Sequence, residues 1–446
     1  MRKRSWLSVV ALLGAFTLLA AACSNKSTNA GGGGGGGGSN VQEQCNSDPF
    51  GCVTYQKGEP IKIGTLLAIS GDVASLGLDS QHGVQLAIDY LDGNFDGKGG
   101  QIDGHDLTMV NEDDGCSAEG GQAGATKLAA DPQILAVIGT SCSSAALGVA
   151  DKILSDKGVL LISPSNTNPN LTAEGTHQPF YLRTAHNDKI QGAIVADFAY
   201  DKLGARSAAT IHDESPYADA LAAVFRQVFQ QKGGTITDSE AIQSTDTDFG
   251  TLLTKIGQGH PDFLYFPDFN PACALITKQA AGVPGLDSTV LMGSDGCLSS
   301  DFLKIAGSAA DGAYASSPDL SVFANGDFYK NQFLPAYKSQ FGTDPTSVFH
   351  AHAFDAMMIL ANAIKKVAVQ GSDGSLTIPR TALKDAIFAT SGYQGITGTI
   401  TCTPLGDCAT DVTIAVYKAP DWPVEGGNPN AKPVFTETKS LADIGG

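Results

Sequence analysis

Two short stretches in the first half of the chain place hydroxyl-bearing residues where a buried strand should run out. In Ile134-Leu-Ala-Val-Ile-Gly-Thr-Ser-Cys-Ser-Ser144 an apolar run ends at Gly139, and a helix is expected to begin near Ser143. Free backbone N–H groups at such a start, with the Ser143 hydroxyl, make a site for a carboxylate. The plainer alternative is that Ser143 only caps its own helix. The next apolar run, Leu160–Ser163, passes into Pro164-Ser-Asn-Thr-Asn-Pro-Asn-Leu-Thr172. Two prolines stiffen that polar loop, and Ser165 and Thr167 can present hydroxyls and backbone carbonyls. Alone it is another turn; two adjacent strand ends offering hydroxyls to one point carry more weight. Farther on, Met292-Gly-Ser-Asp-Gly296 holds Asp295, in a context where a solvated turn residue is the ordinary expectation.

The elements that must position these residues follow from the apolar pattern. Short apolar runs at 61–69, 107–110, 134–138, 159–162, 208–211, 263–266 and 290–292 alternate with helical stretches at 84–91, 120–130, 145–155 and 218–231. Continuous apolar runs bounded by turns suit buried parallel strands, and their alternation with helices is βαβ repetition. The series occurs twice, with a join near 181–188. A helical block at 328–341 and 349–367 and a β-rich section at 395–416 follow. The expected fold is α/β, two doubly wound parallel-sheet lobes with a hinged cleft, the chain crossing between lobes three times. Lobe 1 is assigned residues 58–185 plus 319–394, and lobe 2 residues 186–318 plus 395–419. A Pro/Gly/Asn-rich tail, 420–446, is expected to wrap the surface. Ligands of open α/β sheets bind beyond the carboxyl ends of the strands, which here is the cleft.

The 446 residues suffice for two such lobes and a leader. A formal charge of -18 argues against nucleic acid, whose phosphates would be repelled. Arg2, Lys3 and Arg4 precede an apolar stretch, 6–20, too short for a comfortable membrane span, so residues 1–22 are assigned as a signal peptide. The stretch runs into Leu19-Ala-Ala-Ala-Cys23, which resembles a bacterial lipobox with Ala20 where leucine is preferred. Cys23 is the expected lipidation site, and residues 23–57 the lipidated cysteine and its tether, with eight consecutive glycines at 31–38. The expectation is an extracytoplasmic protein anchored to a bacterial membrane. Of nine cysteines, eight then remain, an even number in an oxidising compartment. Four local bridges are expected: Cys45–Cys52, Cys116–Cys142, Cys273–Cys297 and Cys402–Cys408.

Together these residues resemble a family, the leucine/isoleucine/valine-type branched-chain amino acid binding proteins of ABC transporters, with a type I periplasmic binding fold. The resemblance runs from about Ile61 to Val416. It is carried by Ser70-Gly71, Asp113-Asp114-Gly-Cys116, Cys142-Ser143-Ser144, the loop Ser163 to Thr167, Leu182-Arg183-Thr184, His212-Asp213 with Pro216-Tyr217, Asp262-Phe263 to Phe269, and Met292 to Gly296. It implies that Ser143 and Thr167 hold a ligand carboxylate. It implies that the Ser165 carbonyl, the Thr167 hydroxyl and Asp295 hold its ammonium. Tyr217, Phe269, Phe349, Ser141 and Cys142 would line the side-chain pocket, with the Cys116–Cys142 bridge beside it. The sequence departs from the pattern at Leu76, where an aromatic residue often covers the ligand, and at Ser141, where an apolar residue is common. The implied activity is capture of a small, branched-chain or neutral L-amino acid by lobe closure and delivery to a permease, by a monomer with no cofactor and no enzymatic step.

Other motifs weigh less. Asp92, Asn94, Asp96 and Asp103 have the spacing of a calcium loop, but position 12 is Asp103 instead of glutamate and position 8 is Gly99. A surface turn is the simpler expectation. His350-Ala-His352 turns its two rings different ways on a helix and lacks a third ligand at fitting spacing. Ser143 has no histidine placed as a base, so a hydrolase finds no support. The rival functions are the same fold binding an amide, urea or aromatic acid, and a sensory ligand-binding protein. Asp295 separates the first, being poorly used without an α-ammonium; the second would need a following membrane or signalling segment, which is not expected.

Overall fold

The structure is a computed structural model and describes residues 37–321, 326–425, 427–428 and 430–444, with the side chains of 37–40 excepted. The signal peptide, Cys23 and most of the glycine run lie outside the described residues. Among the described residues no helix is long and apolar enough to cross a membrane.

The strands expected from apolar runs assemble into two sheets. The first has six strands in the order Gln101–Ile102, His105–Asp113, Ile61–Leu67, Ile134–Gly139, Leu160–Ser163, Tyr181–Arg183. All pair in parallel except the short hairpin at the first edge. The second has seven strands in the order Phe435–Ser440, Asp411–Lys418, Tyr314–Pro318, Val290–Gly293, Phe263–Tyr265, Ser207–His212, Thr235–Ala241. Its last two residue segments in the chain pair antiparallel. Ile134–Gly139 and Leu160–Ser163 are buried at every position, as sheets covered on both faces require.

The chain leaves the first sheet after Arg183 and enters the second through helix Asp188–Asp197. It returns after Pro318 to add helix His350–Val367 to the first unit, and re-enters the second sheet at Asp411. Helix His350–Val367 packs along helix Ala74–Asp89. Gly83 permits that approach: a Cβ there would come within 2.1 Å of the His350 carbonyl oxygen.

Several segments differ from expectation. Residues assigned to the tether fold: helix Gly37–Ser47 and strand Cys52–Tyr55 are joined by the Cys45–Cys52 bridge, and the strand pairs with Leu376–Pro379. Alternate burial of Val53 and Tyr55 against the lobe explains the docking. The tail does more than cover a surface, because Phe435–Ser440 completes the edge of the second sheet. The helix expected at 145–155 breaks at Leu147 and Gly148, whose backbone angles are not helical. All four expected disulfides are present. The Asp/Gly loop is built as turns: Asp92 accepts from the Asn94 amide, and Asp96 accepts from the Lys98 amide and ion-pairs with the Lys98 ammonium. Among the described residues no group of three metal-ligating side chains occurs.

Candidate ligand-binding cleft

The site is assembled from strand ends, and the first step is locking two loops together. Beyond Gly139, Thr140 donates its hydroxyl to the Asn166 side chain at 3.1 Å, while Asn166 and Ser163 both donate to the Thr140 carbonyl at 2.9 Å. Ser165 donates to the Ser141 carbonyl at 2.8 Å, and the Asn168 amide donates to the Ser143 hydroxyl at 3.3 Å. Ser143, Ser165 and Thr167 are thus held side by side by buried hydrogen bonds. The Cys116–Cys142 bridge ties in a third strand end. There the buried Asp114 accepts from the Cys116 and Ser141 amides at 2.8 and 2.7 Å, and burial pushes its carboxyl up to about 7.

The second sheet contributes Asp295, buried to 4% exposure. It accepts from the Gln191 amide at 2.7 Å and from the Tyr217 hydroxyl at 3.1 Å; that hydroxyl is also 2.6 Å from the Ser294 hydroxyl. Burial raises the Asp295 carboxyl, an effect opposed by His186 and by the Gln191 hydrogen bond. Gln191 also donates to Ser316 at 2.9 Å, so one helix residue fixes both the acid and its neighbour strand.

Between the two sets lies Asp188, first residue of helix Asp188–Asp197. Its amide donates to the Thr167 carbonyl at 3.0 Å. The Thr167 hydroxyl and the Asp188 carboxylate are fully buried and face each other, with no other hydrogen-bond partner for either among the described residues. Burial and the charge of Asp295 push the Asp188 carboxyl well above the ordinary range. Nothing in the motif reading singled out Asp188, Gln191 or His186; the signal available was a run of polar residues, Thr184 to Gln191, at a predicted lobe junction.

The remaining expected residues fall in distinct places. Tyr217 is buried with its ring 5.0 Å from Phe269. Phe269, Leu76 and Asp295 share a small cavity of about 10 Å³ between the two units. Phe269 also walls the adjoining cleft of about 460 Å³, which runs from Ser70–Val73 and Cys116 to Asp213–Ser215. Ser141 lines neither cavity, and its hydroxyl accepts from the Ala68 amide at 2.9 Å. Cys142, Ser143, Ser165, Thr167, Tyr217 and Phe349 line neither cavity; Phe349 is buried with its ring 6.4 Å from His186 and 5.3 Å from His352. The cleft edge is crossed by a hydrogen bond from the Asn168 side chain to the Pro216 carbonyl.

Hydroxyls from the first sheet and two acids, Asp188 at the junction and Asp295 from the second sheet, thus come together where the sheets meet. The family model for periplasmic binding protein matches residues 60–419. The leucine-, isoleucine-, valine-, threonine- and alanine-binding protein of Pseudomonas aeruginosa is 30% identical over 308 residues, 69% of this chain and 79% of that protein. The Leu/Ile/Val-binding protein of Escherichia coli K12 is 32% identical over 58% of this chain and 68% of its own length. Among solved structures, the leucine-binding protein of Thermotoga maritima has a TM-score of 0.71 at 25% identity, covering 86% of this chain and 99% of that one. The branched-chain amino acid transporter substrate-binding protein of Streptococcus pneumoniae, in complex with isoleucine, has a TM-score of 0.70 at 26% identity, covering 86% and 100%. This chain belongs to the periplasmic binding protein family, with branched-chain amino acid binding proteins among its relatives.

Proposed function

We propose that the chain is an extracytoplasmic receptor, not an enzyme, that closes its two lobes on a small neutral L-amino acid and passes it to an ABC permease. The observation that supports this reading is that Asp188, fully buried at the junction, meets Thr167 from the first sheet and the charge of Asp295 from the second. An α-ammonium supplies the donors that this set of acceptors requires. Ser143 and the Thr167 loop then hold the carboxylate, and Phe269, Tyr217 and Leu76 face the side chain. Branched-chain selectivity is supported by the names of the relatives above.

In calorimetry, Asp295→Ala is expected to weaken binding at least about tenfold, the worth of a charged hydrogen bond of about 1.5–3 kcal/mol. Unchanged affinity removes Asp295 from the site. We also propose that Cys23 carries lipid and that the monomer stands off the membrane on its glycine-rich segment, two acyl chains being needed for stable anchoring. Cys23→Ser should move the protein from the membrane to the soluble fraction; persistent membrane association would defeat the anchor.

A further inference from the structure

The third crossing between the sheets carries a small closed loop, Cys402 to Cys408, whose disulfide spans a separation of 6 residues. The loop docks along the last strand of the first sheet. The Arg183 amide donates to the Gly406 carbonyl at 2.8 Å, and the Cys408 amide donates to the Arg183 carbonyl at 3.1 Å. Gly406 is required by the closeness: at φ +86° a Cβ would lie 2.5 Å from the Tyr181 carbonyl oxygen.

Within that contact lies the guanidinium of Arg183, at 0% exposure. Its Nε donates to Asp407 at 2.7 Å. One terminal nitrogen donates to the carbonyls of Asn166 at 3.2 Å and Asn168 at 2.9 Å, and the other to the Thr172 hydroxyl at 2.7 Å. The two carbonyls flank Thr167. A buried guanidinium needs a carboxylate as well as hydrogen bonds, and its ion-pair partner comes from the crossover, not from the sheet that carries the ligand loop. The geometry of Thr167 is therefore tied, through one side chain, to a segment 224 residues away in sequence.

We propose that Asp407 is a positioning residue for ligand binding: it holds Arg183 from the crossover, and Arg183 holds the backbone on both sides of Thr167. This rests on the reading of Thr167 as a ligand-binding residue. The disulfide-closed loop matters because it keeps Asp407 in place without spending a lobe-wide contact. Neither Asp407 nor the bridge lines the cleft cavities described above.

The test is a double-mutant cycle read by calorimetry with L-leucine, on the full chain, using Asp407→Asn, Thr167→Ala and both together. Asp407→Asn should weaken L-leucine binding about tenfold in the parent and less than about twofold in the Thr167→Ala background. A general loss of stability would not produce that dependence. Equal losses in both backgrounds, or no loss in the parent, overturn the proposal. Where Asp407→Asn does not fold, the same cycle is run with Cys402→Ser/Cys408→Ser, judged by the same two outcomes. Failure of the underlying reading shows elsewhere: the parent then fails to bind L-leucine, or Thr167→Ala leaves its affinity unchanged, and either result overturns the positioning role as well.

Discussion

Asp295 and Asp188 are two acids in one buried space, and both are held above the ordinary carboxylate range, chiefly by burial, with Asp295's charge adding to the effect at Asp188. A raised carboxyl keeps its proton at pH values where a solvated one has lost it. An ammonium, however, is stabilised by the ionised form, so ligand binding must displace that proton. Affinity is therefore expected to rise as pH is raised above the ordinary carboxylate range, with net proton release on binding. Calorimetry in two buffers of different ionisation heat measures the release; a flat affinity with no buffer dependence would show that the acids do not face the ligand. The sequence made Asp295 legible because Ser-Asp-Gly follows a buried strand in the right order along the chain. Asp188 was illegible because its significance depends on Thr167 and Asp295 meeting it across a junction, and on how completely it is buried. Ser141 shows the converse: its position was legible, but its hydroxyl is consumed by the Ala68 amide.

At the level of elements, the helices of the first unit are joined by a buried acid. Asp79, inside Ala74–Asp89, accepts from the His350 amide at 3.0 Å and from its ring at 2.9 Å, from the Tyr337 hydroxyl at 3.0 Å and from the Thr346 amide at 3.1 Å. It thus caps the N-terminus of His350–Val367, where negative charge is favoured. Burial pushes its carboxyl up, but the charge of His350 and these hydrogen bonds bring it below the ordinary value. With a depressed folded value, the contribution is complete above the unfolded value and is lost as pH falls through the folded one. Asp79→Asn should cost about 3 kcal/mol, as breaking a buried pair does, and should flatten the acid side of the stability profile. Denaturant unfolding across pH checks both; an unaltered acid side would place the coupling elsewhere. The strands buried on both faces were legible because they are unbroken apolar runs, whereas Thr235–Ala241 and Phe435–Ser440 alternate polar residues at sheet edges and gave no such signal. Helix His350–Val367 was legible from its length and apolar face, but not its attachment to Asp79, which is 271 residues distant.

Across the whole molecule, βαβ repetition announced two units and three crossings, because each unit must bury its own sheet. How the cleft closes depends on polar contacts between units, which no periodicity encodes. The Asn168 side chain reaches the Pro216 carbonyl, and the Thr167 carbonyl takes the Asp188 amide, so the loop that carries Thr167 touches the second unit at two points. A ligand that satisfies Thr167 from one side and Asp295 from the other favours the closed arrangement by its differential affinity alone. Saturating L-leucine should therefore reduce the radius of gyration in X-ray scattering and raise the melting temperature, by a stabilisation of about 4 kcal/mol at a thousandfold excess over Kd. Asn168→Ala removes the contact to Pro216 that forms when the units meet, so it should weaken affinity about threefold to tenfold, mainly through faster release. Because Asn168 is buried and its side chain also accepts from the Asn170 amide at 2.8 Å, the ligand-free melting temperature should fall by a few degrees as well, each hydrogen bond being worth about 1 kcal/mol. If scattering shows no compaction with ligand, while binding is intact, capture proceeds without lobe closure and the contact at Pro216 has no part in it.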